Sequence, residues 1–151
     1  MKSIPIRILA VCLGNICRSP IAHGLLDKYS KNFDIDFIID SAGTIGMHAG
    51  SPPDPRSIET MLDHGIDITN QRSRQFRHYD FNEFDLILAM DSSNLRDLQS
   101  IASTDEELEK IRMVIEGVNV PDPYYGGDKG FENVYKMLDS AIQDLLQNLA
   151  A

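Results

Sequence analysis

The sequence predicts an α/β fold: a four-stranded parallel sheet flanked by helices, in one domain spanning residues 1–151. Three observations predict it. Apolar runs of strand length alternate with helical segments along the chain, the pattern of a parallel sheet covered on both sides. The first apolar run passes through a short Gly-bearing loop directly into a Ser-Pro helix start, a strand–loop–helix unit. A chain of 151 residues, 42% hydrophobic, suffices for one sizeable core, and no repeat, low-complexity tract or linker divides it.

Each element has its own warrant. Residues 4–12 form an apolar run that reads as a buried strand. A helix is expected over 20–29, with Ile21, Leu25 and Leu26 inward. A second strand is expected over 33–41, where Phe33, Ile35, Phe37 and Ile39 alternate with polar residues. Residues 44–55 are a loop, because Gly46, Gly50, Pro52, Pro53 and Pro55 forbid regular structure. The next helix, 56–64, carries Ile58, Met61 and Leu62 inward and stops at Gly65. A third strand spans 84–90, and Asp91 or Ser92 caps the helix bearing Leu95 and Leu98. Thr104-Asp105-Glu106-Glu107 is a capping box for a short helix, followed by a fourth strand over 111–115. The last helix, 131–149, is the most periodic: Phe131, Val134, Tyr135, Leu138, Ile142, Leu145, Leu146 and Leu149 share one face.

In sheets of this kind ligands bind beyond the C-terminal ends of the strands. The first strand ends there in Cys12-Leu13-Gly14-Asn15-Ile16-Cys17-Arg18-Ser19-Pro20. The backbone N–H groups of a short loop can converge on one anion, and a helix N-terminus adds partial positive charge. Leu13, Gly14, Asn15, Ile16, Cys17 and Ser19 are therefore expected to bind a phosphoryl group. Arg18 adds a two-pronged grip on its oxygens. Cys12 would sit beneath the phosphorus as nucleophile, since loop amides, a helix start and a guanidinium all stabilise a thiolate. Gly14 can take positive φ, Asn15 tolerates the left-handed region and can tie the loop to a neighbour, and Ser19 is the expected N-cap. A buried strand-end cysteine beside an ordinary cap is the plainer alternative.

Composition narrows the partners. Fourteen Lys and Arg stand against 23 Asp and Glu, a formal net charge of -9, which argues against nucleic acid or an anionic membrane surface as partner. No apolar run is long enough to insert into a bilayer, and the N-terminal residues show no signal-peptide pattern. Both cysteines lie inside the motif, five positions apart, so no disulfide framework is expected and a reducing, cytoplasmic setting fits. Two Cys and four scattered His make no metal-ligand spacing.

A phosphoryl transfer to Cys12 leaves an alkoxide or phenoxide that needs a proton. Asp122, in Asp122-Pro123-Tyr124-Tyr125-Gly126-Gly127, is the best candidate acid, and Tyr124 and Tyr125 can wall a slot for a planar ring. The same residues also read as a rigid turn with no further role.

Taken together these segments resemble the low-molecular-weight protein tyrosine phosphatase family. The Cys12–Pro20 loop matches, as do Ser41-Ala42-Gly43-Thr44, Pro53-Asp54-Pro55-Arg56, Arg74-Gln75, Met90-Asp91-Ser92-Ser93-Asn94-Leu95 and Asp122-Pro123-Tyr124-Tyr125, in the family's order. The resemblance implies a flavodoxin-like arrangement and no cofactor. It implies Cys12 as nucleophile, Arg18 as phosphate clamp and Asp122 as acid, then base. The expected partners are tyrosine-phosphorylated proteins, with inorganic phosphate as product. Relatives carry a histidine that hydrogen-bonds the loop Asn and the strand-exit Ser; Gln71 holds that place here and is expected to substitute. Met47 stands where some relatives have an aromatic, and is expected to pack on the substrate ring. Two rivals fit less well. Arsenate reductases of this fold use further downstream cysteines, and none follows Cys17. Protein-arginine phosphatases carry Thr at the position of Ile16. A phosphopeptide-binding module without turnover would not need Cys12, Arg18 and Asp122 together.

Overall fold

The structure, a computed structural model, describes residues 4–151. Met1-Lys2-Ser3, read as leading straight into the first strand, lie outside the described residues. Four strands, β1 (Ile6–Cys12), β2 (Phe37–Gly43), β3 (Leu86–Ala89) and β4 (Ile111–Met113), alternate with six helices. The helices are α1 (Arg18–Ser30), α2 (Pro55–Asp63), α3 (Asp80–Glu83), α4 (Ser92–Ile101), α5 (Asp105–Glu109) and α6 (Asp128–Ala150). The sheet runs β2-β1-β3-β4, and all its pairings are parallel.

Strand β1 is central and explains the two layers. Ile8, Ala10 and Cys12 face a core shared with α1, Met61 of α2 and the long α6. Leu9 and Val11 face a second core with Phe76, Phe81 of α3, Phe84 and Leu98 of α4. The side-chain period of two thus sends alternate residues into separate layers, and Ile8 through Val11 have no exposed surface. The chain crosses from β1 to β2 on one side and returns to β3 on the other. The C-terminal end of β1 is therefore the switch point where open α/β sheets hold ligands.

Several expectations need correction. The first strand begins at Ile6, with Ile4 89% exposed and outside the ladder. The second begins at Phe37: Phe33 packs edge-on against Phe37 from the turn after α1, so its apolar character serves a corner and not a strand. Leu62 is 51% exposed, although Met61 and Ile58 meet the core as expected. Helix α3 was not apparent from the pattern, being four residues long. The α6 face is as read: Phe131, Val134, Leu138, Ile142 and Leu146 are buried against the first core or its edge.

Candidate active site

Cys12 closes β1, pairs with Gly43 of β2 and is 3% exposed. From it the chain turns through Leu13–Cys17 and enters α1 at Arg18. Asn15 is the one non-Gly residue with positive φ among the described residues, at 57°, and its side chain compensates for that conformation. Its Nδ2 donates to Ser19 Oγ at 2.7 Å, and its Oδ1 accepts from the Arg74 N–H at 3.1 Å. Ser19 Oγ in turn lies 3.0 Å from Cys12 Sγ.

Two roles assigned from sequence differ in detail. Ser19 is not the N-cap: the helix starts at Arg18, two residues earlier than expected, Cys17 takes the cap position without a side-chain bond, and the Ser19 hydroxyl serves Cys12 and Asn15. Leaving the first N–H groups of α1 uncapped keeps them for an anion. Gly14 does not use positive φ either; a Cβ there would stand 3.0 Å from His48 Cδ2, so its smallness is what counts.

The loop rests on a scaffold the sequence only hinted at. Ser73 Oγ donates to the Gly14 carbonyl at 2.9 Å. Arg74, whose N–H holds Asn15, is itself locked: Nη1 and Nη2 donate to Asp80 at 3.0 and 3.1 Å, and Nε to Asp40 at 3.1 Å. Gly43 passes so close behind the loop that a Cβ would sit 2.7 Å from the Leu13 carbonyl oxygen. Gln71 does not support Asn15; its Nε2 donates to the Pro20 carbonyl at 3.1 Å. The strand-exit Ser41 instead meets a histidine from α1, His23 Nδ1, at 3.0 Å. Motif order alone could not have shown that a histidine of α1 reaches Ser41, and neither it nor Gln71 bonds Asn15.

Arg18 is 2% exposed and aimed by two acceptors: its Nη1 donates to Asp91 Oδ2 at 2.6 Å and to the Val120 carbonyl at 2.9 Å. Asp91 also caps α4, accepting from the Asn94 N–H at 2.7 Å, so a helix cap and a guanidinium clamp share one carboxylate. On the other side of the fork, Arg18 Nη2 lies 3.7 Å from Asp122 Oδ2. Asp122 is held in a turn by accepting the Tyr124 N–H at 3.0 Å, with its side chain 37% exposed.

A cleft of about 220 Å³ brings these groups together. Cys12, Arg18 and Asp122 line it with Leu13, Gly14, Ile16 and Cys17. Met47, Tyr124 and Tyr125 form its rim, the two tyrosine rings meeting edge to face at 4.8 Å. Asn15 and Ser19 lie behind the lining and act on it through their hydrogen bonds. Ile45 and His48 complete the wall. Burial, then Asp54, Cys12 and Asp122, push the Cys17 thiol up to about 12, so it remains a neutral thiol at physiological pH. A larger groove of about 650 Å³, between α1 and residues 65–72, shares no residue with this cleft and mixes lysines with aspartates. The smaller cleft is the one with a thiol, a guanidinium and a carboxyl around one volume, rimmed by two tyrosines.

Comparison with known proteins agrees with that geometry. Residues 7–151 match the family model described as low molecular weight phosphotyrosine protein phosphatase. A putative low molecular weight protein-tyrosine-phosphatase of Synechocystis is 40% identical over 95% of this chain and 96% of its own. The human low molecular weight phosphotyrosine protein phosphatase is 43% identical over 85% of this chain and 86% of its own. Among solved structures, a protein tyrosine phosphatase from Entamoeba histolytica with Hepes in the active site superposes with a TM-score of 0.89. It is 37% identical, over 95% of this chain and 96% of that one. Likeness of this extent reaches from β1 to the end of α6, and the chain belongs to the low molecular weight phosphotyrosine protein phosphatase family.

Proposed function

We propose that the chain, acting as one domain over 1–151, hydrolyses phosphotyrosine in proteins and small aryl phosphates through a phosphocysteine intermediate. The observation that carries this reading is the convergence of Cys12, Arg18 and Asp122 on one aromatic-rimmed cleft at the end of β1.

The cycle has two displacements. In the first, the Cys12 thiolate attacks phosphorus and the bond to the tyrosyl oxygen breaks, while Asp122 gives that oxygen its proton. The Ser19 hydroxyl beside Sγ supports the sulfur as anion, both before attack and as the leaving group later. In the second, Asp122, now a carboxylate, takes a proton from water; the water attacks phosphorus, the sulfur–phosphorus bond breaks, and inorganic phosphate leaves. Negative charge on the equatorial oxygens meets the backbone N–H groups of residues 13–18 and Arg18, whose aim is set before substrate arrives. Arg18 has Nη1 committed to Asp91 and Val120, which leaves the Nε–Nη2 edge for two phosphoryl oxygens.

Leu13, Gly14, Asn15, Ile16, Cys17 and Ser19 bind or shape the phosphoryl site, and Met47, Tyr124 and Tyr125 bear on the ring. The paired free thiols suit a reducing, cytoplasmic setting. No helix among the described residues is long and apolar enough to cross a membrane. Turnover of phosphotyrosine and p-nitrophenyl phosphate in the presence of a chelator, abolished in Cys12→Ser, tests the reading. Activity that persisted in Cys12→Ser would overturn it.

A further inference from the structure

Arg56, at the start of α2, does not line the cleft, yet its guanidinium joins the two loops that form it. Nε and Nη2 donate to Asp54 Oδ1 and Oδ2, each at 3.0 Å, a two-pronged contact. Nη1 donates to the Tyr124 carbonyl at 3.1 Å. The guanidinium carbon stands 4.6 Å from the Phe131 ring centre and 5.4 Å from that of Tyr124. Asp54 is bound in turn to the loop of Cys12: its N–H donates to the Ile16 carbonyl at 2.8 Å. Ser57, one residue past Arg56, donates its hydroxyl to the Cys17 carbonyl at 3.2 Å. A continuous bonded path therefore runs from Ile16 through Asp54 and Arg56 to Tyr124, two residues from Asp122.

The loop at the far end of that path has few other ties. Among the described residues, the Arg56–Tyr124 contact is the one hydrogen bond that joins residues 121–126 to another element; Gly127, the N-cap of α6, accepts from the Gly130 N–H. The remaining bonds there, Tyr124 N–H to Asp122 Oδ1 and Gly126 N–H to the Pro123 carbonyl, are internal. The contact of Asp122 with Arg18, at 3.7 Å, is longer than a hydrogen bond and would be displaced by a phosphoryl group.

We propose that Arg56 is a positioning residue, which fixes the backbone of the Asp122–Tyr125 turn to the loop of Cys12 so that the Asp122 carboxyl stands at the leaving oxygen. The proposal rests on the reading of Asp122 as the acid. The side chain suits the task. A rigid fork can hold Asp54 and a carbonyl at once while its flat face packs on two rings, and a lysine ammonium can do neither. Burial opposes the Asp54 charge, but hydrogen bonds from the Arg56 side chain and N–H outweigh it and hold that carboxyl below the usual range. A displacement of the acid by about 1 Å costs on the order of tenfold or more in rate.

The test measures kcat/KM for aryl phosphates of rising leaving-group basicity, with inorganic phosphate as competitive inhibitor and amide exchange over residues 120–127. Wild type, Asp122→Ala, Arg56→Ala and Arg56→Lys are run together. Arg56→Ala is expected to lose about tenfold on the most basic leaving group and under about twofold on the least basic. Inhibition by phosphate stays within about twofold of wild type, and exchange over 120–127 quickens. Arg56→Lys follows Arg56→Ala and gives the reading if the alanine variant does not fold. An equal fractional loss at every leaving group, or weaker phosphate inhibition in step with it, would overturn the proposal and leave Arg56 as structural support. If Asp122→Ala shows the basicity dependence and both Arg56 variants match wild type, the proposal fails while the acid assignment stands. No turnover by wild type overturns the functional reading, and the Arg56 role with it.

Discussion

The two loops that meet at the cleft are built on opposite plans. The loop of Cys12 is cross-braced and, Leu13 apart, set into the protein: Cys12, Asn15, Arg18 and Ser19 are each 4% exposed or less, and Ser73, Arg74, Asp91 and Val120 hold it. The loop of Asp122 is open at its tip, with Tyr124 40% and Tyr125 90% exposed; Pro123 is buried, and over residues 121–126 the hydrogen bond to another element is the one from Arg56. Phosphoryl groups are alike in every monoester, so their site gains from being rigid and complete beforehand. Leaving groups differ, and so do the proteins that carry them, so the acid and the ring walls sit where they can be approached. On the proposed reading, phosphate recognition falls to the buried loop and selection among substrates to the exposed one.

Arg18→Lys should show the largest effect if the buried loop does the electrostatic work. A point charge replaces a fork already aimed by Asp91 and Val120, and kcat/KM should fall by roughly 10²–10³-fold at every leaving group. Near-normal turnover would mean that the loop N–H groups suffice. Asp122→Ala should break the comparison differently, slowing basic leaving groups by about 10²-fold and acidic ones far less. A uniform loss would place the proton donor elsewhere.

Gly43→Ala tests how tightly the buried loop is specified. Its Cβ would stand 2.7 Å from the Leu13 carbonyl oxygen, so that backbone must move, and phosphate should inhibit about tenfold more weakly. Unchanged inhibition would show that the loop yields without harm. Selective alkylation is a finer probe. Since the Cys17 thiol is raised to about 12, it stays protonated below that pH; iodoacetamide at pH 8 should label Cys12 and spare Cys17, with Cys17 labelling rising only towards its raised value. Equal labelling of both would contradict the neutral thiol assigned to Cys17. Tyr125→Ala should have the smallest effect, a few-fold rise in KM for a phosphopeptide and little change for p-nitrophenyl phosphate, because its ring lies at the open rim. A large loss with the small substrate would mean that Tyr125 closes over the ring.

The contrast between the loops is also a contrast in legibility. The Cys12 loop could be read because its chemistry is local: spacing, Gly14, Asn15 and the Ser-Pro helix start lie within nine residues. The Asp122 turn read equally as an acid beside a ring slot and as a rigid turn, and the resemblance over the whole chain favoured the acid. What stayed hidden was long-range. Nothing near Gly43 shows that its missing Cβ makes room for Leu13, and nothing near His23 shows that it reaches Ser41. Phe33 and Ile35 alternate as a strand would, yet the β1 register places Phe37 opposite Ile6, and pairing starts there. Helix α6 was legible over 131–149, though not its first three residues from Asp128, because one face of a long amphipathic helix repeats its signal many times.

The central claim is that the sulfur of Cys12 carries the phosphoryl group between the two displacements. Rapid quenching of the wild-type chain during turnover of p-nitrophenyl phosphate, followed by mass mapping under conditions that spare a sulfur–phosphorus bond, tests it most directly. The account predicts one added phosphoryl group on the peptide that contains Cys12, absent in Cys12→Ser and accumulating when Asp122→Ala slows the second displacement. A phosphoryl group on any other residue, or rapid turnover with none on Cys12, would contradict it.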